Sequence, residues 1–135
     1  ARTSPALDVH FQQADARALL NEGASFDLVV SNHVLHHLDD GELAAFARDS
    51  LALSRGVVMH ADIARDRAAH ALYGVGILPL APGTFLRTDG LRSIRRSYRA
   101  PELAAALART SGDDCVWRVE QPAPFRLLAV GAGRA

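Results

Sequence analysis

Residues 26–42 limit what this chain can fold into more than any other stretch. Phe26-Asp-Leu-Val-Val30 is a compact apolar run with two adjacent β-branched residues, and it reads as a buried strand. Polar Ser31 and Asn32 follow, and then three histidines, His33, His36 and His37, crowd one turn. Asp39-Asp-Gly-Glu42 marks a helix start. Asp39 can accept from the amide of Glu42 while Glu42 reaches back, which makes a capping box. Leu43, Phe46, Ala47 and Leu51 continue at helical spacing. A buried strand feeding straight into an amphipathic helix is the first half of a strand–helix–strand crossover, so the pattern predicts an α/β fold.

The flanking segments extend the pattern. Residues 7–14 alternate apolar and polar, with Leu7, Val9 and Phe11 on one face, and this predicts a half-buried strand. A short helix over 17–22 stops at Gly23. Gly56 breaks the helix that begins near Asp39, and Val57-Val-Met59 predicts another buried strand. A helix over 65–73 ends near Gly74 and Gly76. Residues 79–99 hold Pro79, Pro82 and Gly83 and read as an irregular loop. Pro101 opens a helix at its first position, where a missing amide hydrogen does no harm. Strands over 116–121 and 125–130 follow, and Pro122 and Pro124 between them predict a hairpin. Alternating strands and helices imply parallel pairing early in the chain, with an antiparallel hairpin at its end.

Composition removes several function classes. The chain has 135 residues, 49% of them hydrophobic and 22% charged, which suits one globular domain over 1–135. Fifteen basic and 15 acidic residues cancel, so the basic excess expected of a nucleic-acid binder is missing. No apolar stretch approaches the roughly 18 residues of a membrane span. The single cysteine, Cys115, cannot form an internal disulfide and fits a cytoplasmic setting.

Gln13-Ala-Asp15-Ala16 followed by Phe26-Asp-Leu-Val-Val-Ser-Asn-His-Val-Leu-His-His-Leu38 resembles the class I S-adenosylmethionine-dependent methyltransferases. In that family an acidic residue ends the third strand, and a run of the "FDLV…VLHHL" kind forms the fourth strand and its exit. Arg55-Gly-Val-Val-Met-His-Ala-Asp62 looks like the fifth strand, Tyr98-Arg-Ala-Pro-Glu-Leu like the start of the last helix, and Phe125-Arg-Leu-Leu-Ala-Val-Gly like the antiparallel seventh strand. The resemblance implies a Rossmann-like, mostly parallel sheet. One departure stands out: the family's first strand and its glycine-rich cofactor loop have no counterpart, and the six residues before Leu7 are too few to supply them. The resemblance therefore implies a partial domain, the C-terminal portion, whose unpaired sheet edges invite self-association.

The same resemblance implies S-adenosylmethionine as cofactor and a small-molecule acceptor, such as a phenol or another hydroxyl compound. It assigns the cofactor to Asp15, Ala16, Ser31, Asn32 and His33. Asp15 would accept from the adenine amino group, although it can equally serve as a helix N-cap. His36 and His37 are the candidate catalytic bases, because histidine changes charge near neutral pH. His60, Asp62 and Arg65 follow the fifth strand and are candidates for the acceptor pocket; an Asp62–Arg65 pair that merely fixes the loop is the alternative. Arg87, Arg92, Arg95, Arg96 and Arg99 form either a solvated basic face or a surface for an anionic acceptor.

Two further functions stay open. The spacing of His33, His36 and His37 could bring two imidazoles onto one metal, as in a metal-dependent hydrolase. However, the glutamate that zinc proteases place between two helical histidines is replaced here by Val34 and Leu35, so no metal ligand is assigned. The other is a non-catalytic, methyltransferase-like interaction module.

Overall fold

The sheet is built around the strand that follows Gly23. The computed structural model describes residues 9–110 and 115–133. Helix α1 (Ala16–Asn21) is N-capped by Asp15, whose carboxylate accepts from the Ala18 amide at 2.7 Å. Strand β1 (Phe26–Asn32) leads through a single 3-10 turn (Leu35–His37) into α2 (Asp40–Leu53). The capping box at α2 is complete, with Glu42 N donating to Asp39 at 2.8 Å and Asp39 N to Glu42 at 2.9 Å. Strand β2 (Ser54–Ile63), α3 (Arg67–Gly76), α4 (Leu86–Arg96), α5 (Ala100–Thr110), β3 (Cys115–Glu120) and β4 (Arg126–Gly133) follow.

The sheet order is β1-β2-β4-β3. β1 and β2 are parallel, with Ser31 opposite His60 and Asn32 opposite Ala61. β4 runs antiparallel to both β2 and β3. The α/β class, the parallel crossover and the terminal hairpin are those the sequence pattern predicts.

One face of the sheet is covered by α2 and α5. Leu35, Leu43, Ala47, Leu103, Leu107, Leu127 and Ala129 form its core, and Trp117 and Phe46 pack against them. Burying each leucine contributes about 1.5–3 kcal/mol by area removed from water. Trp117 fits because Gly131, its cross-strand partner, has no side chain: a Cβ there would stand 2.7 Å from the indole ring. The opposite face is open at β1, where Leu28 is 51% and Val30 62% exposed. The outer edge of β1 pairs with no strand among the described residues.

Three expectations are overturned. The strand expected to be buried at Phe26–Val30 forms, but Phe26, Leu28 and Val30 are 42%, 51% and 62% exposed, because β1 is an edge strand among the described residues. The strand expected over residues 7–14 does not form over 9–14, and Phe11 is 95% exposed; Leu7 and Asp8 lie outside the described residues. A strand needs a neighbour to satisfy its amides, and no described strand lies beside this segment. Conversely, the loop expected over 79–99 contains an 11-residue helix, α4. Its sequence hides it, because Gly90 and several arginines interrupt the apolar spacing. Tertiary packing explains the glycine. The Tyr73 ring of α3 lies so close over Gly90 that a Cβ would clash with it, and Leu91 lies against Gly74.

Candidate active site

Both parallel strands end at the same rim of the sheet, where ligands bind in open α/β folds. β1 ends at Asn32 and β2 at Ile63. His33 takes a left-handed backbone, φ 59°, and its amide donates to Ala61 O at 2.9 Å. This bend turns the chain back over the end of β2. The 3-10 turn then sets His36 directly against Asp62.

The Asp62 carboxylate accepts three hydrogen bonds. They come from the His36 amide (2.9 Å), from His36 Nδ1 (2.7 Å) and from the Ile63 amide (2.7 Å). Asp62 and His36 are 2% and 5% exposed. A carboxylate can only accept, so His36 carries a proton on Nδ1, which leaves the lone pair of the neutral ring on Nε2. This is the tautomer a base needs, held by an orienting acid.

His36 lines a cavity of about 530 Å³ with His37, Tyr73, Ile94, Phe125 and Arg126. His37 is exposed, and its ring centroid lies 4.0 Å from that of His36. Arg126 donates to His33 Nε2 at 2.7 Å. His36 Nδ1 and His33 Nε2 are thus each engaged in a hydrogen bond. Among the described residues no group of three or more His, Cys, Asp or Glu is arranged to hold an ion.

The remaining candidates are spread out. The Asp15 cap uses one carboxylate oxygen, and the other has no partner among the described residues. Asn32 is exposed at the rim and Ala16 is half-buried. The Ser31 hydroxyl is bonded to His60 Nδ1 at 2.8 Å. His60 does not join His36 at the cavity. It faces the covered side of the sheet with 0% exposure, between Trp117 and Phe46, whose ring centroids are 5.6 and 4.9 Å away. Alternation along β2 sends both His60 and Asp62 inward, but Asp62 stands at the strand's end, where the His36 turn meets it. The expected Asp62–Arg65 pair does not form; Arg65 pairs with Glu102 at 2.5 Å instead. Arg126, Phe125 and Tyr73 reach the cavity from distant segments, and nothing in their local sequence announces it.

Burial pushes the His60 pKa down from 6.5 to about 4. The unfolded chain therefore binds this proton before the folded one does. Stability should fall as pH drops from about 6.5 to about 4, by about 3 kcal/mol in total, and level off below. Urea unfolding at pH 7 and pH 4.5 measures the loss. His60→Leu has nothing to protonate there and should show a correspondingly shallower pH dependence; an unchanged slope would exclude His60 as its source.

The family described as "Methyltransferase domain" matches residues 1–56. A ubiquinone biosynthesis O-methyltransferase of Brucella anthropi is 29% identical over 106 residues, covering 76% of this chain. The chain is thus similar to class I S-adenosylmethionine-dependent methyltransferases. It spans 40% of the length of that Brucella relative.

Solved structures agree on the fold. An O-methyltransferase family protein from Burkholderia thailandensis superposes with a TM-score of 0.55 at 15% identity, over 93% of this chain and 35% of its own. A protein from Rhodobacter sphaeroides described as a Zn-dependent alcohol dehydrogenase superposes with a TM-score of 0.57 at 13% identity, over 90% of this chain and 65% of its own. At such identities the likeness is one of architecture, the Rossmann-like sheet that several chemistries share.

Proposed function

We propose that the chain forms the acceptor side of an S-adenosylmethionine-dependent methyltransferase, acting on a small molecule through a hydroxyl or phenol oxygen. The observation that carries this reading is the buried His36–Asp62 pair at the rim of the cavity. His36 Nε2 takes the proton from the acceptor hydroxyl as the oxygen becomes nucleophilic. Asp62 fixes the ring and steadies the imidazolium that results. His37 stands beside it as a second polar group on the cavity wall. The apolar surfaces of Ile94 and Phe125 hold the acceptor and exclude water.

The described residues fit the adenine end of such a cofactor. Asp15 has an unengaged carboxylate oxygen for an amino group, with the Ala16 amide next to it, and Ser31, Asn32 and His33 follow at the rim. When bound, the cofactor supplies the electrophilic methyl group. The open β1 edge and its exposed Leu28 and Val30 support self-association, in which a second copy covers that edge.

Calorimetry with S-adenosylhomocysteine tests the cofactor assignment. Asp15→Ala should weaken binding by about 1–3 kcal/mol, the loss of a hydrogen bond to a charged acceptor. Asp15→Ser keeps an N-cap oxygen but not its reach, so it should bind as weakly while α1 stays intact. Wild-type affinity in a folded Asp15→Ser protein would reduce Asp15 to a helix cap.

A further inference from the structure

A second cavity, of about 370 Å³, opens between the start of α3 and the end of α4. It is lined by Arg65, Arg67, His70, Arg95 and Arg99. Asp66 also lines the cavity, and the acidic groups of this region bond to backbone amides or to Arg65. Asp66 Oδ1 accepts from the amides of Ala68 and Ala69 as the N-cap of α3. Glu102 accepts from the Arg99 amide at 2.9 Å and from Arg65. Its carboxyl is held below the ordinary range, chiefly by the Arg99 amide and further by the charges of Arg65 and Arg99. Arg95 is turned toward α3 by donating to His70 Nε2 at 3.2 Å. Among the described residues no carboxylate pairs with the side chain of Arg67, Arg95 or Arg99. Guanidinium groups gathered on one concave surface repel one another unless an anion sits between them. Their planar donors match the oxygens of a phosphoryl group.

This cavity adjoins the one that holds His36. Ile94 lines both. Arg65, Arg67 and Arg99 also line a neighbouring opening that shares Pro124 and Phe125 with the His36 cavity. We propose that the arginine cavity binds a phosphoryl dianion, and that the methyl acceptor carries this group at the end remote from its reacting hydroxyl. The second half of this statement rests on the methyl-transfer reading; the first does not. The chain's zero formal charge offers no general attraction for anions, so recognition must be local.

Thermal unfolding of the protein with added inorganic phosphate tests the site directly, without any methyl-transfer assay. The expected result is a saturable rise in melting temperature that weakens with added sodium chloride. Acetate, with a single charge, should give a much smaller rise. Arg67→Gln and Arg99→Gln should each raise the half-saturating phosphate concentration at least tenfold. Arg92→Gln, on α4 but outside this cavity, should leave it unchanged. Equal weakening in all three variants would assign the response to general basicity and overturn the proposal, as would no response in the wild type. A turnover assay then addresses the acceptor. A phosphorylated acceptor should show a raised KM and a steady kcat in Arg99→Gln, whereas an unphosphorylated analogue should show neither change. Phosphate binding that survives while no phosphorylated acceptor is methylated would refute the acceptor half alone.

Discussion

His36→Asn should lower methyl-transfer turnover by about a hundredfold to ten-thousandfold, the usual cost of losing a general base. Asparagine keeps an N–H where His36 Nδ1 donates to Asp62, so the buried carboxylate stays satisfied and the fold survives. What disappears is the lone pair on Nε2. Binding of S-adenosylhomocysteine should change little, because the loss falls on the acceptor's proton. His37→Ala should cost much less, since His37 is exposed and no acid among the described residues orients its ring. Turnover and cofactor affinity measured side by side on the two variants decide the matter. Wild-type turnover in a folded His36→Asn protein would remove His36 from the reaction. Metal analysis by mass spectrometry adds an independent check: stoichiometric metal in the wild type, lost in His36→Asn, would favour a metal-dependent hydrolase instead.

Asp62→Ala should be among the most destabilising single changes in the chain. It strands three donors, the His36 amide, His36 Nδ1 and the Ile63 amide, at a site almost closed to water. Each buried donor left unsatisfied costs about 1–3 kcal/mol, so the three together should cost about 3–5 kcal/mol. For a chain of this size that corresponds to a fall of roughly 10–20 °C in melting temperature. Asp62→Asn retains one acceptor oxygen and should lose less. It turns an amide donor toward one of the stranded donors, so about 1–3 kcal/mol is expected from the unsatisfied group. It should also lower turnover, because the His36 tautomer is no longer held. Urea unfolding at pH 7 reads the first effect and steady-state kinetics the second. A loss below 1 kcal/mol for Asp62→Ala would mean that water or another group replaces the carboxylate.

The candidate site depends on contacts across long stretches of chain. Asp62 meets His36 across 26 positions, and Arg126 meets His33 across 93. Three neighbouring histidines are equivalent in sequence. Only the path of β2 beneath the 3-10 turn singles out His36 as the one backed by an acid, buries His60 against Trp117, and leaves His37 at the surface.

By itself the sequence determined the local devices. The capping box at Asp39 and Glu42, the N-cap at Asp15, the strand at Phe26 (though not its burial) and the hairpin around Pro122 and Pro124 follow from residues within a few positions of one another. Such features depend on short-range sterics and hydrogen bonds, which the local pattern carries in full. Tertiary structure decided the rest. Residues 9–14 alternate as a strand should, yet remain unpaired because pairing needs a neighbour that alternation cannot provide. The arginine-rich stretch 86–96 holds only three apolar residues, Leu86, Leu91 and Ile94, yet is helical, and its Gly90 lets Tyr73 pack on bare backbone. The same packing of α4 against α3 gathers Arg67 and Arg95 around one cavity, next to the wall that faces His36.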